Sequence, residues 1–492
     1  MASPAATTAP TRGRLLAPAL LALTVLAAAL RLPFLEAQSL TYDETYTREI
    51  VALGPFGDLW SNIKATEATP PLGYVVGWLW CHLVGSTSDA AIRFVPVVAG
   101  IAVVPATFFA FRRMVGERVA LATAALAAVS PILVSYSLIA RSYMLVVLLA
   151  VLSLWALGAL VEQPSTRRLT WWALACAACL WTHYYALFLV AGEIAALLWL
   201  LPALRGRVVA ASALVGVAAL PLVTLVADQS DGRSDNIGSF SLGDRVEQTV
   251  RMFGMGSNPP GALLEAIGLV LFAGGFVAGA WILGRGDRRL GHVPLVLALG
   301  VPLLSLALDA VGVENHFFMR NLLPVWTCVA AVVAAGLLRL RGVPLAAYAV
   351  VCTVAVLVVG TDWHYQNAAD WRAAAEEVPP RSMVLVYPGF ADRVAERYIG
   401  GQRSPGDVTD ELIVVVEPGR AGRRDLQPLP DFPRGGVPGF TLRGQSERDG
   451  VRVLRFSAPE PTPVNPSALA PDVLGQQPAL IVSTPRHPVG GG

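Results

Sequence analysis

Two adjacent carboxylates, Asp43 and Glu44, lie in the stretch SLTYDETYTREI (39–50), which follows directly on an apolar run. A carboxylate held at a membrane surface can act as a general base, because it can take the proton of an attacking hydroxyl group. The same residues can instead begin an interfacial helix in which Thr41 or Asp43 is the N-cap. The stretch by itself leaves catalysis and helix capping as equal alternatives.

Three arginines stand at the ends of apolar runs, and they are Arg93, Arg141 and Arg320. A planar guanidinium group binds two phosphate oxygens at once, so each arginine is a candidate phosphate ligand as well as a candidate interfacial anchor. Three further polar side chains occupy similar positions, namely His183 and Tyr184 in WTHYYALF and the separate His316. A histidine at a helix end is often only a hydrogen-bonded interface residue, so substrate binding is one of two alternatives there.

These residue types suit transfer of a phosphate-linked group. Such a group already carries a good leaving group, so its transfer needs a base for the attacking hydroxyl and cations for the departing phosphate. One carboxylate and a few arginines meet these needs, and direct displacement would invert the attacked centre. No His, Asp and Glu cluster with ligand spacing stands out, so no cofactor is expected with certainty, and a divalent cation stays an open alternative.

The elements that carry these residues are predicted to be membrane helices. Of the 492 residues, 54% are hydrophobic and 15% are charged, whereas soluble domains have about 25% charged residues. The net charge of +2 gives no indication of a nucleic-acid partner. Runs of about 20 apolar residues match a ~30 Å hydrocarbon core. We predict an all-α polytopic membrane protein with about eleven spans, over residues 15–35, 93–111, 118–138, 142–160, 169–185, 186–203, 208–227, 261–283, 292–309, 321–338 and 343–361.

Charge asymmetry predicts the orientation of these spans. Arginine clusters, for example Arg112 with Arg113 and Arg167 with Arg168, fall in alternate loops, and the positive-inside rule puts them in the cytoplasm. The N-terminus (1–14) is then cytoplasmic, and the first outer loop (36–92) and the C-terminus are extracytoplasmic. A short aromatic segment, PPLGYVVGWLWCHLVG, is predicted to be a helix in the outer interface. A cleaved signal peptide ending near AAA (27–29) is the alternative for the first span.

The chain after the last span is predicted to form a small extracytoplasmic α/β domain over residues 362–458. SMVLVYP, ELIVVVE and VRVLRFSA are typical of strands, and ADRVAERYI is typical of a helix. Residues 459–492 are Pro-rich and are predicted to be a disordered tail. The transmembrane part, 15–361, would be the catalytic domain.

The order of the motifs resembles that of the GT-C glycosyltransferases, in their family 39, protein O-mannosyltransferase-like branch and its aminoarabinose-transferase relatives. The resemblance is carried by the Asp-Glu pair, PPLGYVVGWLW, IRFVPVVAG, YSLIARSYMLVV, THYYALFLV and FFMRNLLPV, and it covers about residues 15–380. It implies an integral-membrane enzyme that moves a sugar, most often mannose, from a polyprenyl-phosphate carrier to an extracytoplasmic protein, lipid or glycan.

The resemblance also implies roles for individual residues. Asp43 would be the general base, and Glu44 would orient it or bind the acceptor. The arginines Arg141, Arg320 and Arg93 would bind the donor phosphate, and His183, Tyr184 and His316 would contact substrate. Two positions depart from the family pattern: Ile139 stands where many relatives have an acidic residue, and Thr69 stands where they have His or Lys.

Two other function classes remain open at this point. A transporter or lipid flippase of cell-envelope precursors is the first, although no clear internal repeat is visible. A binding or sensing protein with a degenerate membrane part is the second. Glu193 lies in the middle of a predicted span, where a carboxylate is either functional or hydrogen-bonded to a neighbouring helix. Cys176 and Cys179 form a C-x-x-C in apolar surroundings, which favours helix packing over a metal or redox site.

Overall fold

The computed structural model contains a helical bundle followed by a small mixed α/β domain. It describes residues 11–66, 69–230, 240–312, 316–362, 366, 369–403, 408–417, 432, 436–448, 450–469, 471 and 477–483. The bundle runs to residue 361, and the domain over residues 369–483, called here the C-terminal domain, packs against the loop between the first two long helices.

The bundle helices begin and end close to the predicted spans. The long or span-forming helices are α1 (Thr11–Ala29), α5 (Asp89–Val115), α6 (Glu117–Val129), α7 (Pro131–Ser137), α8 (Tyr143–Glu162), α9 (Thr166–Thr182), α10 (Ala186–Leu200), α11 (Arg205–Ser230), α13 (Ala262–Gly284), α14 (Val293–Ala310), α15 (Trp326–Leu337) and α16 (Val343–Thr361). Eight described helical segments are long and apolar enough to cross a membrane, or nine if the bent pair α6–α7 is one span. The chain is therefore a multi-pass membrane protein, and the count of eleven spans stays a prediction because α9 and α10 are shorter.

The break between α6 and α7 is stabilised by one buried arginine. The two helices meet at an angle of 54°, because Pro131 has no N–H to continue the helical hydrogen bonds. Arg31, fully buried, donates to the carbonyl oxygens of Ala127 (3.3 Å) and Ala128 (3.0 Å) and to Ser137 Oγ (3.0 Å). Arg31 thus satisfies carbonyls near the break and holds α7 in place.

Other helices of the bundle pack through small residues and one buried polar cluster. A Cβ atom added at Gly279 in α13 would lie 1.7 Å from the carbonyl oxygen of Val332 in α15, so only glycine permits this approach. Glu193 in α10 is fully buried and accepts hydrogen bonds from Ser153 Oγ and Trp172 Nε1, both at 2.7 Å. The carboxylate therefore links α8, α9 and α10, as the helix-to-helix alternative for Glu193 expects.

Shorter helices lie in the loop between α1 and α5 and beside the bundle. They are α2 (Tyr42–Ile50), α3 (Phe56–Thr66), α4 (Leu72–Val84) and α12 (Leu242–Met255). The helix α4 occupies the aromatic segment that was predicted to be helical. Leu40, Ile50, Leu59 and Tyr74 are buried together and give this loop a small apolar core of its own.

The C-terminal domain is a six-stranded sheet with two helices. The strands are β1 (Met383–Tyr387), β2 (Gln402–Arg403), β3 (Val408–Val416), β4 (Thr441–Arg448), β5 (Val451–Pro463) and β6 (Ala479–Val482), in the order β2-β6-β1-β3-β5-β4. Among the strands of the described residues, β1 and β3 are the one parallel pair, with Leu385 opposite Val414. Alternate residues of β1 face α17 (Trp371–Glu376) and α18 (Asp392–Ile399) on one side and a second apolar layer on the other.

The sheet differs from the prediction at its end. The expected strands in β1, β3 and β5 and the expected helix α18 are present, but β5 continues to Pro463, past the predicted boundary at 458. β6 lies in the segment predicted to be disordered, and it pairs with β1 through Leu385 and Leu480. Its four apolar residues, ALIV, lie between β2 and β1 and are mostly buried. The Pro-rich composition of the surrounding sequence did not indicate this strand. Residues 470, 472–476 and 484–492 of that segment lie outside the described residues.

Candidate active site

The Asp-Glu pair lies in the first turn of the helix α2, with Thr41 as the N-cap. Glu44 Oε2 accepts hydrogen bonds from the backbone N–H (2.9 Å) and the hydroxyl (3.0 Å) of Thr41. The capping interpretation of this stretch is therefore correct for Thr41. It does not exclude a catalytic role for Asp43, because Asp43, at the second helical position, faces outward and is exposed.

Glu44 is fully buried and joins three separate segments. Its Oε1 accepts from Arg93 Nε at 2.7 Å and from the backbone N–H of Ala140 at 2.8 Å, and its Oε2 also accepts from Arg93 Nη2 at 2.9 Å. This carboxylate thus ties α2 to α5 and to the loop between α7 and α8. With both oxygens occupied and no exposure, Glu44 cannot contact an acceptor, so of its two expected roles only orientation of Asp43 fits.

Arg93 is the partner of Glu44, and its guanidinium group is saturated. Besides Glu44, it donates to the carbonyl oxygens of Leu35 (3.0 Å), Gln38 (2.8 Å) and Ser39 (3.1 Å). All five N–H donors of the group are used by these contacts, and the side chain is 2% exposed. No donor remains for a phosphate oxygen in this structure, so the observed contacts of Arg93 do not support the predicted phosphate role.

Asp43 and Arg320 form a contrasting pair at the same end of the bundle. Their charges interact electrostatically, although the two residues are far apart in the chain. Arg320 lies in a 3₁₀ segment, Met319–Val325, that precedes α15, and its guanidinium carbon is 5.4 Å from the ring centre of Phe318. Within the described residues, neither the Asp43 carboxylate nor the Arg320 guanidinium has a hydrogen-bond partner in the protein.

Arg141 belongs to the loop between α7 and α8, next to Ala140. It is half-buried, its charge interacts with that of Arg320, and its guanidinium carbon is 6.0 Å from the ring centre of Tyr74 in α4. The packing of α4 on this loop requires Gly73, because an added Cβ atom would lie 2.6 Å from Ser142 Cβ. The PPLG motif thereby positions the loop that carries Arg141.

Thr69 and Ile139, the two departures from the family pattern, have local contacts in the structure. The hydroxyl group of Thr69 lies 2.9 Å from that of Tyr74, and the carbonyl oxygen of Ile139 accepts from the backbone N–H of Arg141 at 2.7 Å. Neither residue brings a charge to the site.

His183 is buried beside Arg141 and Arg320. It follows α9, is 4% exposed, and interacts with the charges of both Arg320 and Arg141. Its ring centre is 5.6 Å from that of Tyr143, and its Nδ1 atom has no partner in the described part of the chain. A buried polar atom without a partner indicates a place where a ligand group can complete the hydrogen bonding.

Tyr184 and His316 lie at the margin of the group. Tyr184 is half-buried, whereas the neighbouring Tyr185 places its ring centre 5.8 Å from that of His316. The Nδ1 atom of His316 is 3.4 Å from Asp309 Oδ1, and Asp309 also accepts from Arg245 Nη1 at 2.8 Å. His316 therefore belongs to a loop-stabilising network as well as to the aromatic wall of the site.

Sequence reasoning missed several residues of the site. Tyr136 and Tyr143 pack with ring centres 4.9 Å apart, and both act electrostatically on Arg320. Tyr143 was within reach of a motif-based search, because it lies two residues after Arg141 in the same motif. Asp309, which supports His316, gave no comparable signal, since it acts through segments distant in the chain.

The geometry is that of a charged site at one end of a helical bundle. Asp43, Arg141, Arg320 and His183 come from four separate segments and meet at the end where the C-terminal domain packs. The opposite end carries arginine-rich loops, and Arg113 Nε there pairs with Glu162 Oε2 at 2.7 Å. An exposed carboxylate beside two arginines can accept a proton while the arginines stabilise a developing anion.

Comparisons with known proteins bear on the fold that carries this group. Residues 68–227 match the family model described as dolichyl-phosphate-mannose-protein mannosyltransferase. The structure is similar to that of ArnT from Cupriavidus metallidurans bound to undecaprenyl phosphate, with a TM-score of 0.54 and 14% identity, covering 91% of this chain and 98% of that chain. The chain has the GT-C fold.

Further structures with this similarity are apo ArnT and an archaeal enzyme. Apo ArnT from the same organism gives a TM-score of 0.53 at 12% identity, covering 89% of this chain and 98% of that chain. The oligosaccharyltransferase of Archaeoglobus fulgidus in complex with zinc and sulfate gives 0.46 at 13% identity, covering 77% and 61%. No curated protein sequence matches the chain. The predicted GT-C-like fold is confirmed by the similarity to ArnT, and the family model matches residues 68–227 within the predicted transmembrane part.

Proposed function

We propose that this chain transfers a sugar from a polyprenyl-phosphate carrier to a hydroxyl group of an extracytoplasmic acceptor, with Asp43 as general base and inversion at the anomeric carbon. One observation carries the proposal: the exposed Asp43 carboxylate interacts electrostatically with Arg320, and Arg320 also interacts with the charge of Arg141. A base and two cations that can bind phosphate are thus within electrostatic reach of one another in a protein with the GT-C fold.

The reaction follows from these groups. Asp43 takes the proton of the acceptor hydroxyl as its oxygen attacks the anomeric carbon from the face opposite the phosphate. The bond between the anomeric carbon and the phosphate oxygen breaks, and its electron pair stays on that oxygen. Arg320 and Arg141 stabilise the charge that develops on the departing polyprenyl phosphate.

The donor assignment has chemical and comparative support. Arginine is suited to phosphate because its fork binds two oxygens, and the ArnT structure with a similar fold contains undecaprenyl phosphate. His183 and Tyr184 are proposed to contact the sugar. For His183 the support is its buried Nδ1 atom, which has no partner among the described residues.

Mannose is the donor sugar we propose. The support is the description of the matched family model, which names dolichyl-phosphate-mannose as its donor. The acceptor is proposed only as a protein, lipid or glycan of the cell envelope that offers a hydroxyl group.

The deciding experiment compares lipid extracts and surface glycans of a strain with and without this gene. The expected result is accumulation of a polyprenyl-phosphate hexose and loss of one glycan in the deletion strain. Purified full-length protein should then transfer the label from polyprenyl-phosphate mannose and not from a nucleotide sugar. Transfer from a nucleotide sugar with the lipid absent would refute the donor assignment, and an unchanged lipid pool would support a transporter.

The orientation proposed for this reaction places the C-terminal domain outside and the N-terminus in the cytoplasm. The support is the arginine-rich character of the loops at the far end of the bundle. A fluorescent reporter that folds only in the cytoplasm, fused after residue 492 so that β6 stays intact, should be dark, whereas a phosphatase reporter there should be active. The reverse pattern would contradict the scheme.

A further inference from the structure

The C-terminal domain contacts the chain segment that leads into α2, and the reaction proposed above leaves this contact without a role. The backbone N–H of Leu40 donates to the phenol oxygen of Tyr398 in α18 at 2.8 Å. Arg372 in α17 donates to the carbonyl oxygens of Glu36 and Gln38, the latter at 3.2 Å. Two side chains of the C-terminal domain therefore bind the main chain just before the N-cap of the helix that carries Asp43.

Ser39 adds a third connection to the same segment. Its Oγ atom accepts from the backbone N–H of Trp371 at 3.0 Å and lies 3.2 Å from Asp370 Oδ1. Ser39 and Leu40 are each 1% exposed, so their hydrogen bonds lie out of water. A buried backbone group that loses its partner costs more free energy than an exposed one.

A buried carboxylate of the bundle anchors the side chains that make these contacts. Asp89, the first residue of α5, is 4% exposed and accepts from the phenol of Tyr398, from Arg372 Nη2 at 2.7 Å and from Arg397 Nη2 at 3.1 Å. Burial raises the pKa of the Tyr398 phenol, and the charge of Asp89 raises it further. The phenol therefore stays protonated. Its O–H donates a hydrogen bond to Asp89, and its oxygen accepts one from the backbone N–H of Leu40.

The opposite side of the segment is held by the bundle. Arg93 donates to the carbonyl oxygens of Leu35, Gln38 and Ser39, so the carbonyl of Gln38 receives one arginine from each domain. The segment is thus clamped between α5 and the C-terminal domain, and Asp43 follows Leu40 by three residues. The position of the Asp43 carboxylate depends on both sides of this clamp.

We propose that Tyr398 and Arg372 are positioning residues, through which the C-terminal domain holds Asp43 in reach of the acceptor hydroxyl. The proposal rests on the function proposed for Asp43 and adds a reason for the C-terminal domain. A displacement of about 1 Å at a reacting group can lower a rate by roughly 100-fold, so a small change in the clamp has a measurable effect.

The test uses the Tyr398→Phe variant of the full-length protein, which removes only the phenol oxygen. We expect kcat to fall by roughly 10- to 100-fold, with the KM for polyprenyl-phosphate mannose unchanged, because Arg141 and Arg320 are not touched. Tyr387→Phe is the matched control: Tyr387 is a buried tyrosine in β1 of the same domain, and its ring packs on that of Phe432. It should retain wild-type kcat.

Two further measurements separate positioning from loss of fold. Hydrogen exchange over residues 38–50 should accelerate in Tyr398→Phe and stay unchanged in Tyr387→Phe. In an Asp43→Asn background, Tyr398→Phe should produce no additional loss of residual turnover, because the group that it positions is already inactive. An equal loss in both backgrounds would show a general structural defect and overturn the proposal.

The outcomes also distinguish this proposal from the proposed function. Normal kcat or unchanged exchange in Tyr398→Phe, with an active wild-type protein, would overturn the positioning role alone. A wild-type protein that transfers no sugar would overturn the proposed function and the positioning role together.

Discussion

Two charged regions lie side by side at the site end of the bundle, and they differ in how completely their charges are paired. In the first, Glu44 and Arg93 are buried, and every oxygen and every N–H of the pair has a protein partner. In the second, Asp43 and Arg320 interact through charge alone, and Asp43 is exposed. In the sequence the two pairs look alike, because the two carboxylates are adjacent and each arginine stands at the end of an apolar run.

The difference teaches how structure and chemistry are divided between neighbouring residues. A buried ion pair stabilises only when hydrogen bonds satisfy the remaining donors and acceptors, and the Glu44–Arg93 pair meets that condition. A group with unused hydrogen-bonding capacity can bind substrate without first breaking hydrogen bonds to the protein. We therefore assign the first region to positioning and the second to chemistry, and the following predictions test that division.

Replacement of Asp43 by Asn should have the largest effect. The variant keeps the shape of the side chain and removes its basicity, and general-base catalysis is typically worth roughly 10²–10⁴-fold. Turnover should fall by that amount, while donor binding and thermal unfolding stay near wild type. Asp58→Asn, an exposed aspartate at the start of α3 in the same loop, is the control and should be fully active. Normal turnover in Asp43→Asn would reduce Asp43 to a structural residue.

Replacement of Glu44 by Gln should act on stability. It leaves the Arg93 charge buried without its partner, and breaking a buried pair in this way costs about 3–5 kcal/mol. We expect a lower unfolding temperature in detergent and a lower yield. Glu49→Gln provides a matched comparison on the same helix, because Glu49 is exposed and its pair with Arg393 is on the surface; such pairs contribute about 0–1 kcal/mol. If Glu44→Gln were stable and only its acceptor binding were weakened, Glu44 would belong to the reactive region and the assignment to positioning would be wrong.

Replacement of Arg320 by Gln should weaken use of the lipid donor. Loss of a charge-assisted hydrogen bond costs on the order of 1.5–3 kcal/mol, which corresponds to roughly 10- to 150-fold in kcat/KM. Arg320→Lys should restore only part, because the two-pronged geometry is lost, and Arg141→Gln should behave similarly. Arg285→Gln changes an exposed arginine stacked on Trp281 at the far end and should leave donor use unchanged. If Arg285→Gln proved as harmful, a phosphate role for Arg320 would lose its support.

Replacement of Glu193 by Gln should have the smallest effect. Glu193 resembles Glu44 in being buried and hydrogen-bonded, but its partners Ser153 and Trp172 are neutral. The amide keeps one acceptor oxygen, so stability should fall by about 1 kcal/mol and turnover should hardly change in a sugar-transfer assay. Strong loss of turnover with normal stability would place Glu193 in the mechanism and extend the reactive region into the bundle.

Much of this architecture could be predicted from residue types and their spacing. Apolar runs of spanning length predict the membrane helices, because crossing a bilayer requires only a certain length and an apolar composition. The valine-rich runs in β1 and β3 and the amphipathic α18 predicted the core of the C-terminal domain for a similar local reason. The position of Asp43 and Glu44 at a helix start also follows from Thr41, a residue type that caps helices.

The tertiary structure decided which members of each set are reactive. Adjacent residues of a helix point in different directions, so the sequence predicts that Asp43 and Glu44 differ but not which one is buried. Glu44 turns inward because Arg93 and Ala140, which lie 49 and 96 residues away, provide its partners. In the same way, the carbonyl oxygens of Leu35, Gln38 and Ser39 accept from the donors of Arg93 that Glu44 does not use. Arg320, by contrast, interacts with Asp43 through charge alone. β6 finds its place only because β1 offers an unpaired edge. Each of these outcomes depends on contacts between distant segments, and local composition contains no information about them.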